Sequence, residues 1–179
     1  MRAQLTRNIF MLALAALAVW CWVPPASAQH LPLSGMEGEV LTQEALEHGT
    51  TLLVVWASWS PRCRDVVPRI NRLAARWSER ANVGSVVFQQ EPERIVEWLE
   101  PEPLDVPVYL DRSGKFSKHY EVTTLPMLLI FKQGEVAFRG SLSGNPDPVI
   151  QRILVLDDDA DEAEGSASSS RDAGSGLEN

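Results

Sequence analysis

The stretch VVWASWSPRCR, residues 54–64, decides how this chain is read. Its first half belongs to a longer apolar run, TLLVVWAS (51–58). Such a run has no polar alternation, as expected of a strand buried on both faces, where neither set of side chains meets water. The run gives way at Trp59 to Ser60-Pro61. Serine is a good N-cap, and proline suits the first helical position, where its missing N–H is not needed. The pair predicts a helix opening at Pro61 with Ser60 as its cap. Val66, Ile70, Leu73 and Trp77 follow at spacings of 4, 3 and 4, one apolar stripe of a long helix. Cys63 then falls in the first turn of that helix, where the dipole favours a thiolate.

Working outward, the pattern alternates. LTQEALEHG (41–49) reads as a short helical turn ending at Gly49, and NVGSVVFQ (82–89) as the next strand. PERIVEWLE (92–100) is a short helix stopped by Pro101 and Pro103. VPVYLD (106–111) is a strand that Pro107 confines to its last residues. KFSKHY (115–120) is a helical turn; MLLIF (127–131) and VAFRGSL (136–142) are strands joined by the tight turn KQGE; PDPVIQRILVL (146–156) is a closing helix. Strands joined through helices imply parallel neighbours, and the late tight turn an antiparallel pair. The expected fold is α/β: one central mixed sheet flanked by helices on both faces.

The ends read differently. Arg2 and Arg7 precede an uncharged apolar run of 15 residues, Ile9 to Val23, then Pro24-Pro25 and the small residues Ala26-Ser27-Ala28. This three-part pattern predicts a secretory signal peptide, residues 1–28, cleaved after Ala28. The run is short for a membrane span, which needs about 20 residues; an uncleaved N-terminal anchor is the alternative. Cleavage would remove Cys21 and leave Cys63 as the single cysteine, so no internal disulfide could form in an oxidising compartment. Residues 29–156 hold 16 acidic and 13 basic side chains, net −3, with no bias toward nucleic acid. Residues 157–179 hold 8 acidic and 1 basic, net −7, with Leu177 as the one large apolar residue. That composition predicts an acidic disordered tail.

Three segments carry a family resemblance. VVWASWSPRCR (54–64) resembles a hydrophobic strand followed by W-A-x-W-C-P-x-C-R. PVYLDRSGKFSKHYEV (107–122) resembles the stretch that follows in the same family, and TTLPMLLIFKQGEVAFRGSLSG (123–144) its cis-proline strand, turn and return strand. Over about residues 36–156 the chain is similar to thioredoxin-fold proteins, in style the exported TlpA/ResA-like thiol–disulfide proteins. The resemblance implies that Pro126 is the cis-proline and that Leu125 offers its backbone to an extended peptide. Trp59 and Pro61 would line the same groove. It also implies that Ser60 stands where the family carries its nucleophilic cysteine, and Val54 where thioredoxins carry a buried acid. Cys63 keeps the place of the second cysteine.

A serine hydroxyl is barely ionised near neutral pH and cannot take over thiolate attack without a general base. Neither His48 nor His119 belongs to a hydrolase motif. Cys63 leaves two readings open. Shielded, it is a small inert hydrophobe, and the chain is a periplasmic binding module for a protein or peptide client beside the cis-proline. Exposed, with Arg62 and Arg64 beside it, it forms one mixed disulfide with a client or a glutathione-like thiol, and no second thiol resolves it. Cys63, Asp65 and His119 lack metal-ligand spacing and no glycine-rich phosphate loop occurs, so neither metal nor cofactor is expected. Nucleic acid is not an expected partner, and no membrane span is expected after signal cleavage. Arg69, Arg72, Arg76 and Arg80 form a basic stripe, read as a solvated face, with docking of the acidic tail or an acidic partner as the alternative.

Overall fold

The computed structural model describes residues 31–155; the signal segment and the acidic tail read from the sequence lie outside the described residues. The apolar run forms β3 (Thr50–Trp56), buried along its whole length. Two short strands, β1 (Leu33–Ser34) and β2 (Val40–Leu41), precede it. After it come β4 (Asn82–Phe88), β5 (Val108–Asp111), β6 (Met127–Lys132) and β7 (Glu135–Ser141). The main sheet has the order β5-β4-β3-β6-β7. β3 pairs parallel with β4 and antiparallel with β6, and β7 returns antiparallel on β6. β3 therefore has a strand on each side, and its burial follows from position as well as composition. The helices are α1 (Gln43–Glu47), α2 (Val66–Trp77), α3 (Pro92–Leu99), α4 (Lys115–His119) and α5, residues 147–155.

The period of two along β3 divides the core. Leu52, Val54 and Trp56 pack on one face with Val66, Ile70 and Leu73 of α2 and Ile150 and Leu154 of α5. Leu53 and Val55 pack on the other with Leu46 of α1 and Phe116 of α4. Each such buried side chain contributes about 1.5–3 kcal/mol relative to exposure. Helices cover both faces of a mixed sheet, as the order of elements implied. Among the described residues, no helix is long and apolar enough to cross a membrane.

Two local readings need correction. The helix after β3 does not open at Pro61. Residues Pro61–Cys63 form a single 3-10 turn, Asp65 has φ −112 and ψ 24, and α2 begins at Val66. Pro68 explains the break. In a helix running from Pro61 its ring would strike the carbonyl of Arg64 and its missing N–H would leave that carbonyl unpaired. With α2 starting at Val66, Pro68 lies in the first turn, where N–H groups have no intrahelical partner. Nor does the Ser60 side chain act as a cap: it makes no capping hydrogen bond, and its backbone carbonyl accepts the Cys63 N–H at 2.9 Å instead. The β1–β2 ribbon was not anticipated. It docks on the sheet edge through the Met36 N–H, which donates to the Val108 carbonyl at 3.0 Å.

Asp111 is 1% exposed at the end of β5, and its carboxylate accepts the N–H groups of Phe116 (3.3 Å) and Ser117 (2.8 Å). It thereby ties α4 to the sheet. Asp111→Ala would leave two buried donors unpaired and is expected to destabilise the fold by about 2–4 kcal/mol. Asp111→Asn, which keeps one acceptor oxygen, should recover part of the loss in urea unfolding.

Candidate functional site

The site lies where the chain leaves the C-terminal end of β3. Two consecutive tight turns form it: the Ser60 N–H donates to the Ala57 carbonyl at 3.1 Å, and the Cys63 N–H to the Ser60 carbonyl at 2.9 Å. Gln90, just beyond β4, clamps the loop. Its Oε1 accepts the Ser58 N–H at 2.7 Å and its Nε2 donates to the Ser58 Oγ at 2.6 Å. With its base so held, the loop presents Trp59, 59% exposed, with its ring 6.3 Å from that of Phe88.

Opposite, the segment 122–126 leads into β6. The Leu125–Pro126 peptide bond is cis. Val122, Thr123, Thr124 and Leu125 form one wall of a groove of about 300 Å³; Trp59, Ser60, Arg62 and Phe88 form the other. The groove is apolar along Trp59, Phe88, Val122 and Leu125, with one cation, Arg62, at its side.

The structure thus brings Trp59, Ser60 and Leu125 into one groove. The other three predicted site residues lie off its lining. Pro61 is exposed outside it, and Pro126 is buried, its carbonyl accepting the Leu142 N–H at 3.2 Å. Cys63 is 1% exposed and belongs to the core cluster with Val66 and Ile70. It sits in the 3-10 turn ahead of α2 and not in the first turn of that helix, where the sequence placed it. Trp56 is wholly buried against Trp98, ring centres 4.9 Å apart, and packs as core. Val54 is fully buried with Leu128 and Ser85 beside it in register. His48 precedes β3 whereas Ser60 follows it, a separation of about 20 Å along a strand of this length. The His48 Nδ1 lies 2.8 Å from the Glu44 carbonyl. Among the described residues, no three His, Cys, Asp or Glu side chains gather as a metal site.

Sequence reasoning missed Phe88, Arg62, Val122, Thr123 and Thr124 as lining, and Gln90 as a clamp. A usable signal existed for some of them. Phe88 ends the strand parallel to β3, so it emerges at the same sheet edge, and Thr123-Thr124 directly precede Leu125-Pro126.

The Redoxin family model matches residues 21–154, three quarters of the chain. The chain belongs to the Redoxin family. Among curated Redoxin-like relatives, it is 25% identical over 147 residues to sporulation thiol-disulfide oxidoreductase A of Bacillus subtilis, covering 74% of this chain and 88% of that one. It is 26% identical over 131 residues to thiol-disulfide oxidoreductase ResA of Halalkalibacterium halodurans, covering 72% and 74%. The fold matches the exposed lipoprotein thioredoxin Etrx1 of Streptococcus pneumoniae with a TM-score of 0.61 at 22% identity, covering 70% of this chain and 98% of that one. This Redoxin chain is a thioredoxin-like protein of the thiol–disulfide oxidoreductase group, with a ResA-like sequence.

Proposed function

We propose that the protein is an exported, periplasmic binding module on a thioredoxin fold, which holds an extended polypeptide in the groove beside Leu125 and does not turn over a dithiol. The observation that carries this reading is the burial of Cys63, 1% exposed and off the lining of a groove to which Ser60 contributes. A thiol out of reach of a client cannot attack its disulfide, and a serine in the groove lining cannot do so in its place. Ser60 is taken to stand in the place of the family's nucleophilic cysteine. Apolar Trp59, Phe88 and Leu125 supply the area that holds a client, and the Leu125 backbone offers strand-like pairing. Export is supported by the signal-like segment 1–28.

Two measurements test the reading together. In the folded protein Cys63 should resist iodoacetamide until denaturant is added, read by peptide mass. Trp59→Ala should weaken binding of a reduced, unfolded model polypeptide about tenfold, the loss typical of one aromatic anchor. Rapid alkylation of Cys63 in the folded state, with a thiol adduct in protein isolated without reductant, would replace this reading with the second one: a one-cysteine protein that forms mixed disulfides.

A further inference from the structure

A second groove, of about 780 Å³, runs along α2 and is unrelated to the one beside Leu125. One wall is the arginine row of α2, Arg69, Arg72 and Arg76; the other is the chain from Leu142 to Asp147, which leads into α5. The two arginines at its ends are fixed. Arg69 binds the Asp65 carboxylate at 2.6 Å and donates to the Leu142 carbonyl at 3.0 Å. Arg76 binds Asp147 at 3.0 Å and lies over the Trp77 ring. Asp147 also accepts the Trp77 Nε1–H at 3.0 Å, so this wall is braced from both sides. Arg72, between them, is exposed and enters no ion pair among the described residues. The groove thus has paired guanidiniums at its two ends and, among the described residues, an unpaired one at its middle.

We infer that this groove is the docking surface for the acidic segment Asp157–Glu164 of the same chain. Charge and chain length carry the inference. Six of those eight residues are acidic, and a guanidinium accepts a carboxylate in a two-point fork. The segment follows directly on α5, whose first residue, Asp147, is part of the groove wall. α5 spans nine residues, about 13 Å at 1.5 Å per residue. An extended chain returns about 3.3 Å per residue, so about four or five residues beyond the helix come back level with Asp147. The acidic run covers that interval and the next turn, toward Arg72. Tethering makes the contact intramolecular, at an effective concentration of about millimolar, so surface ion pairs too weak to recruit a separate peptide still suffice. The docked segment would cover the basic face of α2 and leave the Leu125 groove open.

The test uses the full chain with Cys21→Ser and Cys63→Ser, labelled with nitrogen-15 and carrying a nitroxide on Asp159→Cys. At about 0.01 M salt the amides of Arg69 to Arg76 should be broadened by the nitroxide. At about 1 M salt, where the Debye length falls to about 3 Å, the broadening should vanish. Arg72→Glu, an exposed change that preserves the rest of the spectrum, should abolish most of the low-salt effect. Three results would overturn the inference: sharp α2 amides at low salt, broadening that survives Arg72→Glu, or broadening of labelled chains only by nitroxide on a separate unlabelled copy. The last would make the occupant another molecule's tail.

Discussion

Ser60→Cys, in a chain with Cys21→Ser, is expected to form an intramolecular disulfide with Cys63 and to bring insulin-disulfide reduction from background to a measurable rate. The two positions are already joined by a tight i to i+3 turn, Cys63 N–H on the Ser60 carbonyl at 2.9 Å. Such turns bring their end Cα atoms to within about 7 Å, and disulfides span Cα separations of about 4.4–6.8 Å. Position 60 is 8% exposed, far less than Trp59, yet it lines the groove, so a sulfur there would be the one a client reaches. Cys63, below it, would be placed to resolve the mixed disulfide. The readouts are a peptide mass lower by two hydrogens after mild oxidation, and turnover of insulin with dithiothreitol supplied to re-reduce the 60–63 disulfide. Failure of positions 60 and 63 to pair would reject the assignment of Ser60 to the nucleophile's place. Pairing without turnover would place the fault elsewhere, in the access of a client to position 60 or in the valine at 54.

The second large effect is at Val54 itself. Val54→Asp would put a carboxyl at a fully buried position, with Leu128 on one neighbouring strand and Ser85 on the other. Burial disfavours the charged form and raises the folded-state pKa above the unfolded value of about 3.9. Between those two values the folded state binds more protons than the unfolded state, so stability falls as pH rises. Below about pH 4 the side chain is neutral in both states, and only the cost of burying a polar group remains. A rise of about three pH units corresponds to about 4 kcal/mol lost near neutrality, a large part of a stability of about 5–15 kcal/mol. The difference in urea midpoint between wild type and variant should widen steadily from pH 4 to pH 7. A constant difference across that range would mean that water or Ser85 solvates the position, and that the fold could tolerate an acid there.

These two sites mark how far the residues alone could be read. The composition of 51–58 was enough to place the central strand, since an unbroken apolar run has only one stable surrounding in a mixed sheet. The helix–strand alternation and the KQGE turn were enough for the order of elements and the direction of the last hairpin. Pro107 correctly limited β5, because a missing N–H is a local fact. The same kind of local fact, Pro68, was present and unused; weighed against the apolar stripe, it would have moved the start of α2 from Pro61 to Val66. Trp59, Ser60 and Leu125, which the structure brings into one groove, were legible because they stand in or next to motifs with fixed spacing.

By itself, then, the sequence determined the α/β layering, the path of the chain and the inventory of the loop: a serine at 60, a cysteine at 63 and no other thiol nearby. Those properties depend on side-chain periodicity and on residues within a few positions of each other. Only the tertiary structure decided that Cys63 is buried, that Phe88 and Val122–Thr124 complete the groove, and that Arg69 and Arg76 are pinned while Arg72 is not. Each of these depends on atoms brought together from α2, the end of β4 and the segments before β6 and α5. Exposure and ion pairing are sums over such neighbours, and the neighbours lie tens of residues apart along the chain.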